Sequence, residues 1–355
     1  MTTVNRGFNR VLSVRSVHTS GPLVYTETEL PGLPKSLIIA PNPMAATNNR
    51  VWRLRSRPVG TVKDTDLELC TEAVPAITDG QLLVKNLFLS IDPTHRIWMT
   101  DCKQYMPKVE IGEIMRAGTI GVVEASKDPA VPVGTHVYGF GGCADYYVGT
   151  NGQNVLYPIG ADEPLPITAN LSVLSLIVGL TGWYGVRKVL LPTAGDILVV
   201  SGAAGAVGSI VGQLAKLAGA KVIGIAGGPA KCAHLRDALG FDLAVDYKVE
   251  DVEKAIEAFA PEGVTHYFDN VGGKITDAVL NCMRINGKVA LCGAISEYDL
   301  NPTGIVNYST PSALDPESLE SLSASSCPVR TRQHLLFCCR YDSPPPAHSD
   351  GLPLC

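Results

Sequence analysis

The sequence predicts an α/β chain: a doubly wound parallel sheet in the second half, behind a β-rich N-terminal domain. Three observations carry this. From Asp196 onward, short apolar strands alternate strictly with amphipathic helices. Residues 50–165 instead hold short apolar runs broken by Gly and Pro, such as 81–90, 118–124 and 135–140, the mark of a β-rich, partly barrel-like domain. A glycine-rich turn sits between the first strand of the alternation and the helix after it.

The elements follow in order. Residues 171–190 read as helical, 197–202 as a buried strand, and 206–218 as a helix with Val207, Ile210, Val211, Leu214 and Leu217 inward. Strands at 221–226, 243–247, 265–271 and 287–293 alternate with helices at 231–239, 252–259 and 275–283. Apolar strands alternating with helices imply a parallel sheet covered on both faces. The full doubly wound nucleotide domain has six strands; five are legible here and the alternation stops after Ser296, so the last strand is expected to be missing.

Composition sets bounds. With 355 residues, 46% of them hydrophobic, and a net charge of -5, the chain reads as an ordinary two-domain globular protein without the basic stripe of a nucleic-acid partner. No apolar run reaches the roughly 18 residues of a membrane span. Of ten cysteines, Cys70, Cys102, Cys143, Cys232, Cys282 and Cys292 are scattered without zinc-ligand spacing and read as free thiols of a reducing compartment. The other four, Cys327, Cys338, Cys339 and Cys355, crowd the last 29 residues.

Residues 1–26 lack Asp and Glu and set Arg6, Arg10 and Arg15 among serines, with Val4, Phe8 and Leu12 on one helical face. This is the pattern of a mitochondrial transit peptide; a disordered basic arm, or a cytoplasmic product starting at Met44, are the alternatives. The Pro-rich stretch to residue 43 reads as linker. The expected organisation is therefore 1–43 transit peptide and linker, 44–165 β-rich domain, 166–308 nucleotide-binding domain and 309–355 tail.

The central motif is Ser201-Gly202-Ala203-Ala204-Gly205-Ala206-Val207-Gly208, which follows a strand and opens a helix. It is a Rossmann dinucleotide fingerprint with Ala203 in the first glycine slot: Gly205 admits the pyrophosphate, Ala206 and Val207 open the helix whose N-terminus receives it, and Gly208 lets helix and strand pack closely. An NAD site wants an acid about 20 residues on, for the ribose 2′-hydroxyl. From Gly202 to Arg236 there is none; Gly227-Gly228-Pro229 is followed by Lys231, which suits the 2′-phosphate of NADP(H). A solvated surface lysine is the bland alternative.

These pieces, with Gly179-Leu180-Thr181, Asp246-Tyr247-Lys248, Phe268-Asp269-Asn270-Val271-Gly272-Gly273, Cys292-Gly293-Ala294-Ile295-Ser296-Glu297-Tyr298, Leu89-Ser90-Ile91-Asp92-Pro93 and Ile111-Gly112-Glu113-Ile114-Met115, resemble the prostaglandin reductase, alkenal double-bond reductase and curcumin reductase group of the zinc-independent medium-chain dehydrogenases/reductases. The resemblance runs from about Met44 to Ser309 and implies a GroES-like N-terminal domain. It implies that Lys231 and Tyr247 hold the adenosine 2′-phosphate, that Asn270 and the Gly293-Ala294 turn lie by the nicotinamide half, and that Thr181 also contacts the cofactor. It makes Tyr298 a hydrogen-bond donor at the substrate carbonyl, with a structural tyrosine as the alternative, and Tyr105 a substrate-binding residue. Members of the group are commonly homodimers.

There are departures. Thr94 stands where members often carry a tyrosine, and Cys143 where they usually carry Trp; with no basic neighbour in sequence, Cys143 reads as packing rather than nucleophile. The zinc-ligand patterns of the superfamily's alcohol dehydrogenases are absent, so no metal is expected and alcohol oxidation is disfavoured. What remains is NADPH-dependent reduction of the carbon-carbon double bond of a small enal or enone. A quinone oxidoreductase on the same scaffold is the alternative, and a catalytically inactive, truncated product is the reading from a different class. The Ser-, Pro- and Cys-rich text after Thr310 motivates that last reading: a frameshift or retained intron there, or else a genuine isoform-specific tail.

Overall fold

The computed structural model describes residues 48–300 except 103, 105, 162 and 163. The expected leader and linker, Tyr105, the place in sequence of a sixth strand, and the tail at 309–355 lie outside the described residues.

In the N-terminal half, Asn48–Leu54 (β1) pairs antiparallel with Leu67–Ala73 (β2). Gln81–Leu89 (β3) leads through the short helix Thr94–Trp98 (α1) to Thr119–Ser126 (β4), His136–Gly139 (β5), Tyr146–Thr150 (β6) and Val155–Pro158 (β7). These form an antiparallel sheet in the order β6-β3-β4-β5-β7. Period-two patterning drives it: Leu82 and Val84 of β3 turn inward to meet Val123, Val137 and Val155, while Lys85 stays exposed. β1 is stitched to the loops by Trp52 N to Cys143 O (2.8 Å) and Met115 N to Trp52 O (2.8 Å). Cys143 packs in a second cluster with Leu54, Trp98 and Met115, and burial pushes its thiol up to about 11, so it serves as packing.

In the C-terminal half, Gly179–Tyr184 (α2) precedes Ile197–Ser201 (β8), Ala206–Leu217 (α3), Lys221–Ala226 (β9), Pro229–Ala233 (α4), Leu243–Asp246 (β10), Val252–Phe259 (α5), Val264–Asp269 (β11), Gly273–Asn281 (α6) and Met283–Leu291 (β12). Among the described residues the sheet is parallel, in the order β10-β9-β8-β11-β12, which matches the first five places of the doubly wound order. Alternate residues of each strand serve opposite layers. Leu198, Val200 and Val222 pack with Val211 and Ala215 of α3, whereas Val199, Ile223 and Val245 pack with Ile256 of α5 and Val279 of α6. Each fully buried side chain of this kind contributes roughly 1.5–3 kcal/mol.

The structure corrects three sequence expectations. Residues 172–178 are not helical: the Ser175 hydroxyl accepts the Val178 amide at 2.9 Å, a local bond that competes with the helical ladder, and helix begins only at Gly179. Leu217 is 67% exposed, because the inward face of α3 ends with Leu214 and Ala215. β12 starts at Met283, four residues earlier than expected, since its pairing to β11 jumps register between Val264↔Met283 and His266↔Lys288 and Asn286-Gly287 lies inside the irregularity. Among the described residues no helix is long and apolar enough to cross a membrane.

Gly208 is where α3 meets β8. A Cβ there would lie 2.5 Å from the Gly202 carbonyl oxygen and 2.8 Å from the Ala203 Cα, both backbone atoms that cannot rotate away. Helix propensity alone would make Gly208→Ala stabilising by up to about 1 kcal/mol. The contact predicts the opposite sign, a destabilisation of about 1–3 kcal/mol by denaturant melting, typical of overpacking.

Candidate active site

The parallel strands β8 and β11 end side by side, and their last residues define the site. Asp269 closes β11 with its side chain fully buried. Its Oδ1 accepts the Ser201 hydroxyl (2.9 Å), the Tyr267 hydroxyl (2.8 Å) and the Val271 and Gly272 amides (2.9 and 3.0 Å), and its Oδ2 accepts the Thr276 hydroxyl (2.6 Å). Burial, reinforced by this carboxylate, holds the Tyr267 phenol well above its ordinary pKa, so Tyr267 remains a donor. A buried charge is tolerable only when so satisfied, and here the satisfaction fixes the β8 end, the turn after β11 and the start of α6 together.

Asn270 extends the junction. Its amide N–H donates to the Ser201 hydroxyl (2.9 Å) and its Nδ2 to the Ser201 carbonyl (2.8 Å). On the other side, the Cys292 and Gly293 amides donate to the Asp269 carbonyl (2.8 and 3.0 Å), and Ser296 donates from both amide and hydroxyl to the Val271 carbonyl (3.1 and 2.7 Å). The sequence-expected residues Asn270, Gly293, Ala294 and Tyr298 are thereby brought into one cluster.

Tyr298 folds back over its own turn. The Ala294 amide donates to its hydroxyl at 3.0 Å, and a Cβ on Gly293 would come within 2.9 Å of that oxygen. A phenol that accepts from a backbone amide still carries its own proton to donate. Glu297, beside it, has its carboxyl pushed up by burial and by the nearby Asp269 and Asp277.

The fingerprint turn lies against the next strand through Ala203 N to Ile225 O (3.0 Å). Gly205 begins α3 without a side chain to cap it, the first turn holds no acid, and Gly205 and Ala206 are exposed. The first-turn amides of α3 therefore face outward, as anion binding requires. At the ends of β9 and β10, the Tyr247 ring and the Lys248 stem lie over Gly227, so close that a Cβ there would come within 2.9 Å of each. Lys231 is exposed on α4, which begins at the same turn. The acid that precedes Tyr247, Asp246, is buried and uses its Oδ1 to accept the Gly228 and Lys248 amides (2.8 and 3.1 Å). Thr181 stands apart from these contacts on α2, which packs on α3 where Gly182 meets Ile210.

Three residues of the site were not singled out from sequence. Asp269 and Ser201 are strand-end residues whose partners are 68 positions apart, and only the lone acid closing the strand Val264–Asp269 hinted at the first. Lys248 carried the signal of a cation just past the third strand. Among the described residues no group of three or more His, Cys, Asp or Glu side chains could hold a metal ion.

Comparison with known proteins agrees with this architecture. Residues 50–156 match the family described as the N-terminal domain of oxidoreductase, and residues 206–310 the family described as zinc-binding dehydrogenase. The NADPH-dependent curcumin reductase of Escherichia coli is 37% identical over 251 residues, covering 71% of this chain and 72% of that protein. Prostaglandin reductase 1 of Mus musculus is 37% identical over 254 residues, covering 71% and 74%. The crystal structure of CurA from Vibrio vulnificus in complex with NADPH superposes with a TM-score of 0.70 at 34% identity, covering 81% of this chain and 82% of that one. The chain belongs to the zinc-independent medium-chain dehydrogenases/reductases, in the group that contains the curcumin and prostaglandin reductases.

Proposed function

We propose that this chain is an NADPH-dependent reductase of the carbon-carbon double bond of α,β-unsaturated aldehydes or ketones. The observation that carries the reading is the Tyr298 hydroxyl held by the Ala294 amide at the carboxyl edge of the sheet, the edge where open α/β sheets bind their ligands. The relatives named as curcumin and prostaglandin reductases, and the (+)-pulegone reductase of Mentha piperita at 36% identity, support a double-bond reductase rather than a quinone reductase. The acid-free, Arg- and Ser-rich residues 1–26 support mitochondrial import, and fractionating cells that express a tagged chain tests that part: a purely cytoplasmic signal contradicts it.

The residues fit a 2′-phosphorylated dinucleotide. The uncapped first turn of α3, from Gly205 through Ala206 and Val207 to Gly208, would hold the pyrophosphate; Lys231, Tyr247 and Lys248 would hold the 2′-phosphate; Asn270, Gly293 and Ala294 would border the nicotinamide. NADPH, when bound, supplies the hydride that adds to the substrate's β-carbon. Tyr298 donates its proton in a hydrogen bond to the carbonyl oxygen, on which negative charge grows, and the α-carbon then takes a proton from water to complete the saturated product. Tyr105 is proposed to line the substrate side of the site.

Two measurements test this. Lys231→Ala should weaken NADPH at least about tenfold in a fluorescence titration while leaving NADH unchanged, since one charge-assisted contact of roughly 1.5–3 kcal/mol is lost. Equal binding of NADH and NADPH by the unaltered chain would refute the cofactor assignment. Tyr298→Phe should lower kcat on enones by about tenfold to a hundredfold with NADPH affinity intact, the signature of an interaction that strengthens in the transition state. Undiminished turnover, or faster turnover of quinones than of enones, would overturn the reading.

A further inference from the structure

The turn that carries Tyr298 is gripped from the other half of the chain. Asp299 directly follows Tyr298, and both of its carboxylate oxygens are engaged by residues more than two hundred positions away. Its Oδ1 accepts from Arg96 Nε at 3.0 Å, and its Oδ2 accepts from the Thr61 hydroxyl at 3.0 Å. Arg96 lies on α1, immediately after the Asp92-Pro93 turn that ends β3, and is only 8% exposed.

Arg96 has no freedom to follow a moving partner. Its Nη1 donates to the Thr100 hydroxyl at 3.0 Å, and its Nη2 donates to the carbonyls of Gly60 and Pro58 at 3.0 and 3.4 Å. With those bonds made, the planar guanidinium presents Nε in one direction only. The Asp299 carboxylate can meet both Nε and Thr61 in a single placement of the turn. That turn is also closed on itself, by Glu297 N to Ala294 O (2.9 Å) and by the Ala294 amide on the Tyr298 hydroxyl. Tyr298 therefore hangs between two anchors: its hydroxyl on the nucleotide half, and the adjoining residue on the N-terminal half.

We infer that Arg96, Thr61 and Asp299 form a latch between the two halves whose function is to position the Tyr298 hydroxyl for the reaction. They are positioning residues; none is required to touch the substrate. The inference rests on the reading of Tyr298 as the carbonyl donor. Without Asp299 the buried Arg96 still donates to Thr100 and to the Gly60 and Pro58 carbonyls, and the half-exposed Asp299 contributes little as an ion-pair partner, so this latch should reveal itself in turnover more than in melting temperature. A displacement on the order of 1 Å at a donor is enough to slow a reaction substantially.

The test uses the full-length chain with Asp299→Ala, Asp299→Asn, Tyr298→Phe and the double variant Tyr298→Phe/Asp299→Ala. Asp299→Ala should lower kcat on an enone by about tenfold, with KM for the enone and Kd for NADPH within about twofold of the parent. Asp299→Asn, which keeps an acceptor for Arg96 or Thr61, should recover most of that loss. In the double variant the loss should be no greater than in Tyr298→Phe alone, because the latch acts only through the hydroxyl. Independently of activity, amide hydrogen exchange in residues 292–300 should quicken in Asp299→Ala and return toward the parent rate in Asp299→Asn. Full turnover in Asp299→Ala, additive losses in the double variant, or unaltered exchange would overturn the latch while leaving Tyr298 as donor. Undiminished turnover in Tyr298→Phe would instead overturn the reading of Tyr298 and the latch with it.

Discussion

One buried carboxylate, that of Asp269, ties the end of β8 to β11, to the turn after it and to α6. Asp269 has no access to water, yet it accepts bonds from three hydroxyls and two backbone amides. A carboxylate taken out of water is costly, and only a full set of donors offsets that cost. Those donors belong to the end of β8, to β11 itself, to the turn after it and to α6. Satisfying the charge is thus the same event as setting the geometry of the turn from which Asn270 reaches the fingerprint and against which the Tyr298 turn is built.

From that junction the site spreads along the strand ends. The fingerprint turn lies between β8 and β9, and the Lys231, Tyr247 and Lys248 group at the ends of β9 and β10, so that adjacent strands carry the two groups in succession. On the opposite side of β8, β11 and β12 carry Asn270 and the Tyr298 turn. A parallel sheet brings all its carboxyl ends to one edge, which is why residues from 202 to 298 converge there. The antiparallel half contributes through Arg96 and Thr61, which hold Asp299 and so join the two halves beside Tyr298.

The sequence was informative wherever the signal was local. Strict alternation placed the five parallel strands found among the described residues and the helices between them, and the glycine spacing of 205 and 208 located the α3 start. It misled where a single side chain overrode a pattern: Ser175 captures an amide that a helix would have used, and Asn286-Gly287 sits inside a strand whose register jumps. Leu217 kept helical periodicity past the point where α3 still faces the sheet. Asp269 and the Arg96–Asp299 pair were illegible because their meaning lies in partners 68 and 203 positions away, and spacing within a motif does not report such contacts.

The Asp269 charge is what should hold the carboxyl ends of β8, β11 and β12 in shape. The direct measurement is the NADPH dissociation constant of Asp269→Asn, taken alongside its thermal unfolding. The substitution keeps the volume but removes the charge that five donors converge upon. The variant should still melt cooperatively, at a lower temperature, and bind NADPH more weakly by on the order of tenfold, about 1.4 kcal/mol. A variant that binds NADPH as tightly as the parent would contradict it.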